Sequence, residues 1–430
     1  MVKHIIQQGD TVDSIANQYG ITPERLILEN EITDPNRMAI GEMILVVYPK
    51  QTYIVQEGDT LSSIADAFNV SWIDILKNNP YITDRDELIV GEEIVIEFED
   101  ENKLPLTING YAFPYISMDV LKKTLPFLTY ITIIGHYIFS DGSINNIDDI
   151  EIIQLALDYG VGALMHIFTY SNETTDNNIF HTIIHDNAMQ DILLDNILTM
   201  LRLKGYYGVN IDTPYIYPQD KEIYVEFINK LSQQLNEAGF VLITTISPSD
   251  IEITTGITYF GIDYVGISQA SNNVIYNLSY DWANPYGIPK SAFSFKKITM
   301  AVSSACSQLE PNKMLLGITS IGYYWILPYV SGTTVTTFIN HTNAVNIARD
   351  HGIPIQFNEI NQSSYIHYIE GGFENMVLFK DVRSMASYAD LIKEYNLSGV
   401  SFFNIMYYFP RTWLLFHSQF EINKVLSPLQ

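Results

Sequence analysis

Residues Gly205 to Asp220 read GYYGVNIDTPYIYPQD. The run up to Asp212 is short, apolar and bounded by turn formers, the pattern of a buried strand, and it ends on a carboxylate. Thr213 and Pro214 follow. A proline fixes φ, offers no N–H to a ladder and pushes the residue before it into an extended conformation, which a strand end accepts. An aspartate at the carboxyl end of a buried strand sits where parallel α/β architectures keep their chemistry, so the fold turns on whether strand and helix alternate on either side.

They do. Further strands are read near Ile108 to Phe113, Ile131 to Phe139, Ala163 to Phe168, Phe240 to Ser247, Val274 to Ser279, Met314 to Ser320 and Gly399 to Met406. Between them lie amphipathic helical stretches such as Ile150 to Tyr159, Asn187 to Leu203, Lys221 to Ala238 and Val382 to Tyr395. Eight alternations over about 325 residues predict an α/β fold, a (β/α)8 TIM barrel. The long gap before the eighth strand holds a small α+β insertion. A doubly wound open sheet is the alternative, but no glycine-rich phosphate turn follows the first strand. In a barrel the groups to inspect stand at the carboxyl ends of strands: His136, His166, Asp212, Tyr280, Asp281 and Trp325.

Ahead of this region the chain repeats itself. His4 to Thr22 reads HIIQQGDTVDSIANQYGIT, and Tyr53 to Ser71 reads YIVQEGDTLSSIADAFNVS. Each copy runs from a short strand into Gly-Asp-Thr, where Thr11 or Thr60 caps a helix with apolar spacing. A second helix follows, and each copy closes with a strand after a glycine, GEMILVV from Gly41 and GEEIVIE from Gly91. The boundaries are 1–49 and 50–97 for two βααβ modules, 98–105 (ending in proline after an acidic run) for a solvated linker, and 106–430 for the barrel.

Composition excludes several partners. With 49 acidic against 23 basic residues the net charge is −26, which repels a nucleic-acid backbone and an anionic membrane surface. No apolar run reaches the roughly 20 residues of a spanning helix. The first residues lack the apolar core of a secretory signal, so export by that route is not expected. The single cysteine, Cys306, permits no internal disulfide, and its setting reads as a buried helix face. His181-Thr-Ile-Ile-His185 has the spacing of a helical metal pair but lacks the glutamate of H-E-x-x-H and a third ligand, so no metal or other cofactor is expected.

Down to the GDT turn, the Asn30 or Asn79 after the second helix and the closing glycine strand, the two repeats resemble LysM modules. That resemblance implies binding of N-acetylglucosamine-containing glycans, with Gly9, Asp10, Thr11 and Asn30, and Gly58, Asp59, Thr60 and Asn79, as candidate contacts. The remainder resembles glycoside hydrolase family 18, through KGYYGVNID (Lys204 to Asp212), IDYVGISQASNNVIYNLSYDW (Ile262 to Trp282), LLGITSIGYYW (Leu315 to Trp325), FKDVRS (Phe379 to Ser384) and YNLSGVSFF (Tyr395 to Phe403). The whole chain is similar to the two-LysM spore cortex-lytic N-acetylglucosaminidases of spore-forming bacteria.

In that family the substrate's acetamide oxygen attacks its own anomeric carbon while a glutamic acid protonates the leaving oxygen, an exception to the two-carboxylate scheme. The resemblance assigns Asp212 to orienting the acetamide, Tyr280 and Asp281 to the pair that holds it, and Phe403 to an aromatic floor where the family carries tryptophan, with Trp282 a further substrate-binding candidate. It places the acid on Pro214 and the preceding aromatic on Thr213. Proline titrates nothing, so no catalytic residue is expected. The implied protein binds peptidoglycan or chitin-like glycan in the spore envelope, beside other coat proteins, laid down by the mother cell without a signal peptide. Retained N-acetylglucosaminidase activity is the alternative.

Overall fold

The structure, a computed structural model, describes residues 1–83, 88–99, 103–169, 178–213, 216–248, 262–278, 295–330 and 333–428. The first module comprises β1 (Val2–Ile5), α1 (Val12–Tyr19), α2 (Pro23–Asn30) and β2 (Met43–Val46); the second comprises β3 (Pro49–Ile54), α3 (Leu61–Phe68), α4 (Trp72–Asn78) and β4 (Glu93–Phe98). Each pairs its outer strands antiparallel. The Gly-Asp-Thr turn forms as its chemistry dictates. Gly9 and Gly58 take φ of 94° and 90°, a region open to glycine. Thr11 and Thr60 then form capping boxes with Ser14 and Ser63.

Eight parallel strands close the barrel: β5 (Leu104–Ala112), β6 (Tyr130–Tyr137), β7 (Gly162–Phe168), β8 (Gly208–Asp212), β9 (Val241–Ile246), β10 (Asn273–Asn277), β11 (Met314–Thr319) and, after the insertion, the strand Gly399–Phe403, which pairs with both β11 and β5. Around them, among others, lie α5 (Met118–Thr124), α6 (Ile150–Asp158), α7 (Asn178–Ile184), α8 (Asn187–Lys204) and α9 (Lys221–Glu237). Strand alternation sends Val209 and Ile211 toward the helices and Asn210 into the barrel. The interior is packed, with Tyr111, Tyr130, Leu164, Ile243, Ile275 and Leu315 in one apolar cluster and Asn109 bonded to Thr132 and Ser401 across strands.

The insertion between β11 and Gly399–Phe403 is a five-stranded antiparallel sheet: β12 (Gly322–Leu327), β13 (Thr337–Ile339), β14 (Gln356–Asn358), β15 (Ser363–Glu370) and β16 (Phe373–Phe379), with the helix His341–His351 against it. With these in place the last barrel strand is β17, and Phe420–Ile422 is β18, parallel to the start of β5.

The modules are not beads on a solvated tether. Strand β2 is buried on both faces: Ile44 and Val46 enter the module's own core, while Met43 and Leu45 join the core shared with the barrel. Ala39 belongs to the core of the inserted sheet. There Gly41, at φ 82°, comes so close to Ile355 that a Cβ would lie 2.1 Å from its carbonyl oxygen. The helix Pro410–Gln419 lies against both modules. Its Arg411 meets Glu42 at 2.5 Å and the Asn30 carbonyl at 3.1 Å, and His417 meets Asn78 Oδ1 at 2.9 Å. The stretch read as a linker shrinks accordingly, because β5 begins at Leu104 by pairing with β18.

Candidate glycan site at the barrel mouth

Asp212 closes β8 in register with Phe168, one pair beyond Ile211 and Ile167. It is 8% exposed. Its Oδ2 accepts from His166 Nε2 at 3.3 Å, and its Oδ1 has no hydrogen-bond partner among the described residues. His166 Nδ1 is likewise without a partner among the described residues. Tyr111 lies edge-on to the His166 ring, 5.6 Å between centroids, and its hydroxyl joins Thr245 Oγ1 at 2.9 Å and the Asn210 amide at 3.3 Å. Burial, and secondarily the Asp212 charge, holds that phenol far above its usual range. Phe403 packs against the same Tyr111 ring at 5.8 Å. Thr213 turns the other way and accepts from the Tyr224 hydroxyl on α9 at 3.2 Å.

Asp212, His166 and Phe403 are thus gathered around Tyr111. The sequence reading singled out the first three but missed Tyr111, which is one more aromatic of a strand until its neighbours are known. Chemically the cluster offers a buried carboxylate oxygen that takes no donor from the described residues, beside aromatic surface. An amide N–H would serve as one. Pro214, Tyr280, Asp281 and Trp282 lie outside the described residues.

A family model described as "Glycosyl hydrolases family 18" matches residues 165–407, more than half of the chain. The chain belongs to glycosyl hydrolase family 18. Two LysM domains match at residues 4–47 and 53–97. A cortical fragment-lytic enzyme of Bacillus subtilis (strain 168) is 26% identical, with 98% of each chain covered. The crystal structure of the Bacillus cereus spore cortex-lytic enzyme SleL superposes with a TM-score of 0.81 at 26% identity, covering 99% of both chains. A chitinase from Chromobacterium violaceum, at 18% identity and a TM-score of 0.65 over 73% of this chain and 98% of its own, shares the fold.

Two residues expected at the mouth of this family 18 barrel are elsewhere. His136 follows Gly135 (φ 140°) at a register irregularity in β6, and it lies on the helix side of the strand, 3.7 Å from Asp149 Oδ2 and fully buried. Asp149 is held there by Lys204 Nζ at 2.6 Å and by the Tyr206 hydroxyl. Burial lowers the His136 imidazole to about 4, against the pull of Asp149. Trp325 belongs to β12 of the insertion, where it is buried and donates to Thr336 Oγ1 at 2.9 Å; only five residues separate it from the end of β11 at Thr319, and in sequence it reads as that strand's continuation. Cys306 is half-buried in the turn just past the helix Phe295–Ala305, its thiol pushed up to about 11 by burial.

Most of the LysM candidates also serve the fold. Asn30 and Asn79 are buried, each bonding both to its own helix and to N–H and C=O of the closing strand at Leu45 or Val95. Asp10 accepts from Gln7 N at 2.7 Å and His4 Nε2 at 3.0 Å, and Asp59 from Gln56 N at 2.7 Å and the Tyr53 hydroxyl at 2.9 Å. The backbone donor at Gln7 is the main cause holding the Asp10 carboxyl below its ordinary value.

Proposed function

We propose that the chain binds an N-acetylglucosamine-containing polymer of the peptidoglycan or chitin type in the bacterial spore envelope, through a family 18 barrel that no longer cleaves it. One observation carries the reading: Pro214 stands two residues after Asp212, at the position that the family resemblance gives to the glutamic acid. A pyrrolidine ring has no proton to give, so the general-acid contribution, about 10² to 10⁴ in rate, is missing. The carboxylates next along the chain, Asp220 and Glu222, are poor substitutes. Asp220 is 2% exposed with one oxygen against each of His181 and His185, and Glu222 is exposed in the first turn of α9. The Asp212 oxygen beside His166, which has no partner among the described residues, supports retention of an acetamide-holding subsite. The names of the relatives, cortical fragment-lytic and spore cortex-lytic, favour spore wall glycan as the ligand and the spore envelope as the place.

Those same names favour a second reading, a working N-acetylglucosaminidase with an unconventional acid. Incubation with muropeptides or chitooligosaccharides separates the two. The unmodified chain releases no new reducing ends, and Pro214→Glu gains turnover that Asp212→Asn in the same background removes. Turnover by the unmodified chain at the rate of active relatives would sink the first reading.

A further inference from the structure

The histidine pair set aside in the sequence for want of a third ligand acquires one in the fold. His181 lies in the last turn of α7 and His185 just past its end, in the segment that follows β7. Asp220, at the end of the single 3-10 turn Pro218–Asp220 that follows β8, reaches both. Its Oδ2 is 2.5 Å from His181 Nδ1 and its Oδ1 is 2.9 Å from His185 Nε2, with the two rings 4.6 Å apart. One ligand atom from each residue falls within 4.8 Å of the others. The carboxylate is 2% exposed, whereas the imidazole side chains are 34% and 45% exposed, so the cluster is anchored from below and open above.

We propose that His181, His185 and Asp220 bind a divalent transition-metal ion of the Zn2+ type. Two imidazoles and one carboxylate suit zinc and its neighbours rather than calcium or magnesium, which prefer all-oxygen shells. Zinc takes its nitrogen and oxygen ligands at about 2.0–2.2 Å and accepts three protein ligands with solvent in the fourth position. In the metal-free state the two imidazole N–H groups donate to the carboxylate. Binding moves each proton to the ring's other nitrogen, leaving Nδ1 of His181 and Nε2 of His185 free to ligate. The ligand atoms then spread by a fraction of an ångström to admit the ion. Bound there, the ion fastens the 3-10 turn Pro218–Asp220, which follows β8, to helix α7, which follows β7.

The test uses the full chain, stripped with EDTA and titrated with ZnCl2 by calorimetry, with a thermal-unfolding scan beside it. One saturable equivalent and a raised melting temperature are expected. Both are lost, or the affinity falls by about tenfold or more, in His185→Ala and separately in His181→Gln. Because each imidazole also partners the buried Asp220 carboxylate, every variant is read against its own EDTA-treated sample, and the zinc-induced rise in melting temperature is the quantity compared. Asp220→Asn, which keeps the shape but halves the ligating oxygens, weakens binding further. Absence of saturable binding, or a saturable site unchanged in both histidine variants, would overturn the proposal.

Discussion

His136 shows how one buried side chain makes stability depend on pH. Its neighbours are Asp149, Lys204, Tyr206 and, at longer range, His166, and burial outweighs the nearby carboxylate. The folded chain keeps this imidazole neutral down to about 4, whereas the unfolded chain protonates it near 6.5. Between these values the unfolded state holds the extra proton, so the contribution is complete above 6.5 and disappears as pH falls to 4. The stability gap between the parent and His136→Gln should therefore shrink by about 3 kcal/mol over that range, as read from urea midpoints at each pH. A gap independent of pH would show that the histidine is charged in the folded protein. The histidine itself was visible in the sequence, but its side of the strand was not, because the irregularity beside Gly135 shifts the alternation.

Among the elements, legibility tracked pattern strength. Strand β8 was read as Gly208 to Asp212 and is found there, and α8 and α9 match their apolar spacing to within a residue. The start of β5 was read late because Leu104-Pro105 looks like a loop until β18 arrives beside it from the far end of the chain. The strands of the insertion went unread: an antiparallel sheet of short strands leaves only weak local alternation, and Trp325 was assigned to the wrong sheet for that reason. Asn79 links two elements that were both read correctly. Its amide bonds Ile75 O on α4 and both backbone groups of Val95 on β4, at 2.7 to 2.8 Å. Asn79→Ala would orphan buried strand groups and should cost about 2 to 4 kcal/mol in chemical unfolding. A loss below 1 kcal/mol would mean that water replaces the amide.

At the scale of the whole molecule, the barrel and its site chemistry were legible in part and the docking of the modules was not. Nothing local in Met43 to Val46 says that a strand of a small module will be covered on both faces, or that Arg411, far along the chain, will reach Glu42. That pair is buried on both sides, 3% and 8% exposed, and removing one partner leaves the other charge uncompensated. Arg411→Met should destabilise the protein by about 3 to 5 kcal/mol and loosen the first module, seen as faster protease cleavage before residue 49 than elsewhere. Uniform loss without preferential cleavage would contradict a local role. No helix among the described residues is long and apolar enough to cross a membrane.

The shared core also fixes a length. A flexible tether would let the repeats and the barrel engage a polymer at any spacing, with a local concentration that decays smoothly as the tether grows. Here the first module is held between the helix Pro410–Gln419 and the inserted sheet, so its distance from Asp212 does not vary. For a chain-like ligand, avidity then arrives as a step. Oligomers shorter than that span meet one face at a time, and those that bridge it gain both at once.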